Sequence, residues 1–432
     1  MKTKETKKIL CASGKQVINM THFLASKKTL SIIAFSLILL VIADFILPGR
    51  TFFPDENRFI EEAKVLSEKK EFATFGTYRA WEMPLVAIAY APFYKVFAGG
   101  ELFIKSVRAF QALIHILTAI GAASICFSIF KNKITALITL FSYIIYPSFL
   151  AYQSLLLSET LFMFFMVWGF AFLYIWSENK PMAFVSSVIF FMFSLYTRAV
   201  ITVLMPVLIF ARSYIISRKP AFWIKYCVLS CFMFVICLSP WWMRNWNIFG
   251  TFVPSSTSAS WNLYLGNNSF NHNAGVDWVT DADPDKVKDI FSLNDELLIS
   301  KAFMEEAKSY IYENRIVFLK NTWLKFKRFY NLKSNLKPEG FSFISLYNIS
   351  LMLSWGIAFP LGLISSWINR KKFLMLLPIY LLIIYYTFMH VVVIASLRYR
   401  LPIEPFFLVL GSDCVYRFFS IIKPYLFRKK PE

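Results

Sequence analysis

Charge is scarce in this chain. Only 17% of its 432 residues are Asp, Glu, Lys or Arg, while 57% are hydrophobic and 19% aromatic, a balance that a water-soluble domain of this size does not keep without aggregating. That excludes the ordinary soluble enzyme classes and points to a polytopic membrane protein. Cysteine is sparse too: Cys11, Cys126, Cys227, Cys231, Cys237 and Cys414 all lie away from the segments assigned below to the outside, so no disulfide framework is implied. The sequence has no glycine-rich phosphate loop, no nucleotide-fold signature and no Ser/His/Asp pattern, which argues against a soluble nucleotide sugar as a donor. It has no internal repeat and no low-complexity tract. The formal charge of +20 would suggest nucleic acid in a soluble chain. Here the Lys/Arg clusters sit between apolar runs, where membrane orientation and lipid headgroups account for them, so no nucleic-acid partner is expected.

What the chain does have is a series of long apolar runs. Residues 1–28 are basic (Lys2, Lys4, Lys7, Lys8, Lys15, Lys27, Lys28) and precede a run from about Leu30 to Leu47, which has the length of a spanning helix and no small-residue cleavage site after it. This predicts an uncleaved first span with the N-terminus in the cytoplasm. Residues 49–106 then form a long exoplasmic segment, with a short helix at Glu61–Leu66 and an apolar stretch from Pro84 to Phe97 that is too short, and too interrupted by Pro92, to cross. We read that stretch as an interfacial helix. Further spans are expected at about 107–130, 134–150, 158–176, 181–197, 199–216, 222–240, 342–368, 373–395 and 403–422. This places the basic turns Lys131–Lys133, Arg212–Lys225 and Asn369–Lys372, with the tail Arg428–Lys430, on the cytoplasmic side.

The fold expectation is therefore an all-α polytopic membrane protein of about ten transmembrane helices. Its parts are a basic cytoplasmic N-terminus (1–28), a membrane domain (29–240) carrying the first exoplasmic loop, a mixed exoplasmic loop domain (241–340), C-terminal spans (341–423) and a cytoplasmic tail (424–432). In the loop domain, Ser292-Leu293-Asn294-Asp295 matches a helix-starting capping box. The stretch from Arg315 to Tyr330 puts Ile316, Leu319, Trp323, Phe326 and Tyr330 on one face, with Lys320, Lys325, Lys327 and Arg328 mostly off it, the pattern of an interfacial helix.

Several ionisable residues gather on the predicted outer face. Asp55, Glu56 and Glu82 lie in the first loop, and Glu159 stands in the apolar setting Leu157-Ser158-Glu159-Thr160-Leu161, where a carboxylate needs a partner or a role. Arg198, Arg244, Arg398 and Arg400 follow spans on the same face. Guanidinium groups present paired donors that match phosphate oxygens, and carboxylates beside them can accept a proton from an incoming hydroxyl or amine. His115 and His390 fall in apolar spans and read as core residues. His272, in the outer loop, could join carboxylates around a divalent metal, although no ligand spacing supports one.

With these residues in view the chain resembles the membrane-embedded C-type (GT-C) glycosyltransferases, the superfamily of protein O-mannosyltransferases and lipid A aminoarabinose transferases. The resemblance rests on Asp55-Glu56 after the first span, Glu82-Met83-Pro84 before an apolar helix, Ser158-Glu159-Thr160, Pro240–Asn245, Asn262–Asn268 and Arg398–Pro402. It covers about 380 residues, and it is the order and placement of the motifs that carries it. It implies an inverting glycosyltransferase that moves a sugar from a polyprenyl-phosphate carrier to an exoplasmic lipid A, glycan or protein acceptor, with no required cofactor, although some relatives use a metal. Asp55 matches the first-loop catalytic aspartate, and Glu82 and Glu159 join it as candidate catalytic residues. Glu56, Arg79, Arg198, Arg244, Tyr264, Asn267, Asn268, Arg398 and Arg400 are candidates for binding the lipid phosphate and substrate. Met83 stands where several members carry a lysine, so that role is absent or falls to an arginine such as Arg79. The alternatives are a flippase or transporter, or a ligase or polymerase, of lipid-linked sugars. Abundant Phe, Ile, Lys and Asn point to a bacterial source and hence to the inner membrane.

Overall fold

In the computed structural model, residues 27–271, 281–332 and 341–426 are described. The expected basic N-terminus up to residue 26, His272 and the tail Arg428–Lys430 lie outside them. Helices account for nearly all regular structure: α1 (Lys27–Ile46), α2 (Pro54–Lys69), α3 (Leu85–Phe97), α4 (Gly100–Phe130), α5 (Lys133–Ile144), α6 (Pro147–Gln153), α7 (Glu159–Ile175), α8 (Pro181–Thr197), α9 (Leu204–Ile216) and α10 (Pro220–Phe249). Then follow α11 (Ala259–Gly266), α12 (Pro284–Phe291), α13 (Glu296–Glu313), α14 (Arg315–Phe329), α15 (Phe341–Ile368), α16 (Phe373–Val392), α17 (Leu397–Arg400) and α18 (Glu404–Leu426). Among the described residues the only β pairing is an isolated antiparallel bridge between Thr74 and Tyr78.

The protein is a polytopic all-α membrane protein. Among the described residues six helices are long and apolar enough to cross a bilayer (α1, α4, α10, α15, α16 and α18), and a seventh span arises if α5 and α6, bent by 50°, act as one. The other expected spans are shorter. Helices α7 and α8 have 17 residues and α9 has 13, against about 20 for a bilayer core. Pro147 starts a new helix after α5 and so breaks the run expected at 134–150. The boundary between the spans expected at 181–197 and 199–216 falls at Arg198, which leaves α8 with extended backbone (φ −150°, ψ 123°) as its side chain turns toward α7. In the other direction α10 outruns its expected end and continues through Pro240 to Phe249, where Gly250 closes it at φ +65°.

Helix α4 is the buried centre of the bundle and packs against α1, α5 and α7, while α15 pairs with α18 and α7 with α8. Their shared core includes Ile116, Ala119, Phe127, Phe162, Phe170, Leu173, Phe184, Phe406 and Val409. Helices α1 and α10 instead present most of their apolar surface outward, as lipid-facing spans do. A second, smaller core joins Trp81 of the first loop to Tyr264, Leu265, Val287, Ile299 and Phe303 of the 241–340 segment and to Ile394. Buried Glu296 ties the two loops together, accepting the backbone N–H groups of Arg79 and Ala80 and the Thr257 hydroxyl at 2.5, 3.0 and 2.6 Å. The helix expected to start at Ser292 is α13, but its cap is Asp295, whose carboxylate accepts from the N–H groups of Leu297 and Leu298. Ser292 closes α12 instead. The first-loop helix expected at 61–66 extends over the whole of α2, and the interfacial stretch is α3.

Candidate active site

The geometry begins at the N-terminus of α2. Pro54 occupies the first helical position, where its missing N–H costs nothing, and Asp55 follows in the first turn, where the helix dipole favours negative charge. Glu56 secures this end. Its buried carboxylate accepts the N–H groups of Phe52 and Phe53, both at 2.7 Å, and that of Leu156 at 2.9 Å. Glu56 therefore anchors α2 to the turn before α7, with both carboxylate oxygens engaged by backbone N–H groups and shielded from solvent.

That turn leads into Ser158-Glu159 at the start of α7, and three distant side chains converge there. Arg198 donates through Nε to the Ser158 hydroxyl at 2.9 Å and through Nη2 to Glu159 at 2.7 Å. Arg398, from α17, donates through Nε and Nη2 to the same carboxylate and through Nη1 to Asp55 at 2.5 Å. The order is Asp55, Arg398, Glu159, Arg198. Glu159 is wholly enclosed, whereas the side chain of Asp55 is 44% exposed and those of Arg398 and Arg198 are 16% and 18% exposed. Asp55 and the two arginines are thus open to a ligand. Glu159, enclosed behind the two arginines, pairs with both.

Arg58, not singled out by sequence, completes the group. It lies three residues after Asp55 on α2, on the same face, and pairs with Glu82 at 2.9 Å. Its buried Nε has no partner. Burial pushes the Asp55 carboxyl up, but Arg398, then Arg58 and Arg198, outweigh this and hold it below the usual aspartate range, so it is ionised at neutral pH. Glu62, one helical turn beyond Arg58, behaves oppositely. Burial, helped by nearby Glu82, drives its carboxyl up to about 8, and it is held neutral at pH 7.

The remaining candidates lie apart from this group and are engaged by protein atoms. Arg244 donates to the Phe72 carbonyl and the Asn245 side chain, both at 2.8 Å, and covers the Trp241 ring at 4.8 Å. Arg79 pairs with Glu71 at 2.7 Å. Arg400 is enclosed with Glu404 at 2.8 Å and also donates to the carbonyls of Phe329 and Asn331. Tyr264 packs in the smaller core, and the side-chain amides of Asn267 and Asn268 donate to backbone carbonyls around α11. Of the four arginines expected to gather on the outer face, Arg198 and Arg398 are brought together beside Asp55, with Arg58 near them, while Arg244 and Arg400 are engaged elsewhere. Among the described residues no cluster of three His, Cys, Asp or Glu could hold a metal ion. His115 is buried beside the Ile144 carbonyl at 3.2 Å, and His390 stacks between Phe329 and Tyr399.

The group occupies one end of the bundle, reached from the ends of α1, α8 and α16 and the start of α7. At the opposite end Lys372 lies 5.4 Å over the ring of Phe130, the last residue of α4.

Solved structures similar to the chain include ArnT from Cupriavidus metallidurans bound to undecaprenyl phosphate, with a TM-score of 0.47 at 13% identity over 94% of this chain and 82% of that one. The archaeal oligosaccharyltransferase AglB from Archaeoglobus fulgidus, in complex with an inhibitory peptide and a dolichol-phosphate, has a TM-score of 0.48 at 13% identity over 95% of this chain and 53% of that one. The likeness goes no further than the course of the chain. At such identities and TM-scores neither a reaction nor a substrate carries over. No protein-family model and no curated protein matches.

Proposed function

We propose that this protein is an inverting glycosyltransferase that moves a sugar from a polyprenyl-phosphate carrier to a lipid, glycan or protein acceptor on the exoplasmic side of a membrane. The observation that carries the reading is the pair of Asp55 and Arg398 at one end of the bundle: an ionised, half-exposed carboxylate beside a guanidinium whose own counter-charge, Glu159, is enclosed behind it. The acceptor hydroxyl or amine attacks the anomeric carbon from the face opposite the phosphate. The new bond forms from the acceptor atom, the bond from the anomeric carbon to the phosphate oxygen breaks, and the proton passes to Asp55. The carrier leaves as polyprenyl phosphate, with its growing charge met by Arg398, Arg198 and Arg58. Arg398 serves both groups. As it turns toward the leaving phosphate it releases Asp55, and the carboxylate gains basicity as the proton arrives. No step in this scheme calls for a metal.

The test is transfer of radiolabelled sugar from synthetic polyprenyl-phosphate donors to a membrane extract by the purified protein. Label appearing in an acceptor, with release of the carrier phosphate, supports the proposal and identifies the acceptor class. Donor that crosses proteoliposome membranes unchanged would replace it with transport of the lipid-linked sugar.

A further inference from the structure

Helix α14 has two opposed faces. Ile316, Leu319 and Trp323 are exposed on the outer one, whereas Lys325 points inward and is wholly buried. Burial draws its amine down to about 7, so a lysine is kept here at an electrostatic cost. Its contacts account for it. Nζ donates to the Val393 carbonyl at 3.0 Å, the Val392 carbonyl at 3.3 Å and Asn267 Oδ1 at 2.9 Å. Val392 ends α16, where the last carbonyls of a helix lack intrahelical donors and its dipole is negative, a setting that suits a cation. Asn267 donates to the same two carbonyls at 3.2 and 3.3 Å. The backbone there is packed so closely that a Cβ on Gly266 would overlap the Val393 carbonyl oxygen.

Five residues beyond Val393 comes Arg398. The segment between them is tied to α14 at its other end as well, because Arg400 donates to the Phe329 carbonyl at 2.9 Å and to that of Asn331 at 2.7 Å. Between the two ties His390 stacks on Phe329 at 5.9 Å and on Tyr399 at 5.0 Å. The turn that aims Arg398 at Asp55 and Glu159 is thus strung between two points on one helix, and Lys325 is the upstream point.

We infer that Lys325 is a positioning residue for Arg398, fixing the 393–400 turn through the carbonyls of Val392 and Val393, with Asn267 as its partner. In its catalytic consequence this rests on the reading of Asp55 and Arg398 as the reacting pair; the structural part does not.

The test uses the full-length protein in nanodiscs and the variant Lys325→Met, which keeps the length of the side chain and removes its three donors. Hydrogen exchange is followed in peptides covering 391–400 and, as a reference, 159–175, and kcat is measured separately from the donor KM. The expected result is exchange at least about tenfold faster in 391–400 with the reference unchanged, and kcat lower by about tenfold or more at near-constant donor KM. Unchanged exchange in 391–400 overturns the inference, as does wild-type kcat in a variant with a loosened turn. If Lys325→Met does not fold, Asn267→Ala, which removes one of the two donor sets, is expected to give the same pattern at smaller amplitude, and its absence counts against the inference equally. If the wild-type protein transfers no sugar, the glycosyltransferase reading fails, while the exchange comparison still decides whether Lys325 holds the turn.

Discussion

Glu62→Gln is predicted to stabilise the protein at neutral pH. Glu62 is enclosed on α2, with one carboxyl oxygen accepting from the Thr74 hydroxyl at 2.7 Å and the other without a partner. Burial first, and Glu82 second, raise its pKa from 4.5 to about 8. A carboxyl raised on folding contributes its full stability below the unfolded value and loses it as pH rises toward the folded value. Between about 4.5 and 8 the folded chain keeps a proton that the unfolded chain releases, so stability falls by about 1.4 kcal/mol per pH unit across that window and is flat outside it. At pH 7 the accumulated cost is roughly 3 kcal/mol. Glutamine keeps the acceptor for Thr74, places an amide at the unpartnered position and does not titrate. The variant should therefore be more stable at pH 7, by up to roughly 3 kcal/mol, with the gain shrinking to nothing near pH 4.5. Thermal unfolding of both proteins in the same detergent, at half-unit steps from pH 4.5 to 8.5, reads this directly. A difference that does not change with pH, or a variant less stable at pH 7, would refute the assignment of Glu62 as a neutral buried acid.

Glu159→Gln leaves the guanidinium groups of Arg198 and Arg398 without their shared enclosed counter-charge. Unfolding should show a loss of about 3 to 5 kcal/mol, and a loss under 1 kcal/mol would contradict the role given to Glu159. Gly266→Ala drives a methyl group into the Val393 carbonyl, which is backbone and cannot swing away. A loss of about 1 to 3 kcal/mol, or failure to accumulate in the membrane, is expected, and wild-type unfolding would show that α11 and the end of α16 are not in the contact described.

The fold class was legible from hydropathy, and the first loop with Asp55 could be found because two adjacent carboxylates follow a long apolar run. The continuity of each span was legible only in part. The boundary at Arg198 was placed from sequence, but the run expected at 134–150 is broken where Pro147 starts a new helix, and hydropathy averages over such a break. Glu159 stood out as a lone carboxylate among apolar residues, so its need for partners could be read. Their identity could not, since Arg198 and Arg398 lie 39 and 239 residues away. Arg58 was missed although its signal was present, because helical spacing from Asp55 puts both on one face of α2. Arg400 was misplaced for the converse reason. Two residues after Arg398 on a helix, it points the other way, and a glutamate four residues on was there to receive it. Tyr264, Asn267 and Asn268 show the limit of composition. Asparagines in an irregular outer segment look alike whether they bind a sugar or, as in this chain, the carbonyls of neighbouring backbone.

If Asp55 takes the proton of the acceptor, as proposed, the variant Asp55→Asn isolates that step. Asparagine keeps the size of the side chain and an oxygen facing Arg398 but cannot take the proton. With labelled polyprenyl-phosphate sugar and saturating acceptor, Asp55→Asn should insert and unfold much like the wild-type protein while its kcat falls by at least about a hundredfold, the usual worth of a general base. Arg244→Ala, which alters a side chain outside the Asp55 group, should retain transfer in the fraction that folds. A well-folded Asp55→Asn protein that transfers sugar at the wild-type rate would contradict the account and move the reacting centre away from the first loop.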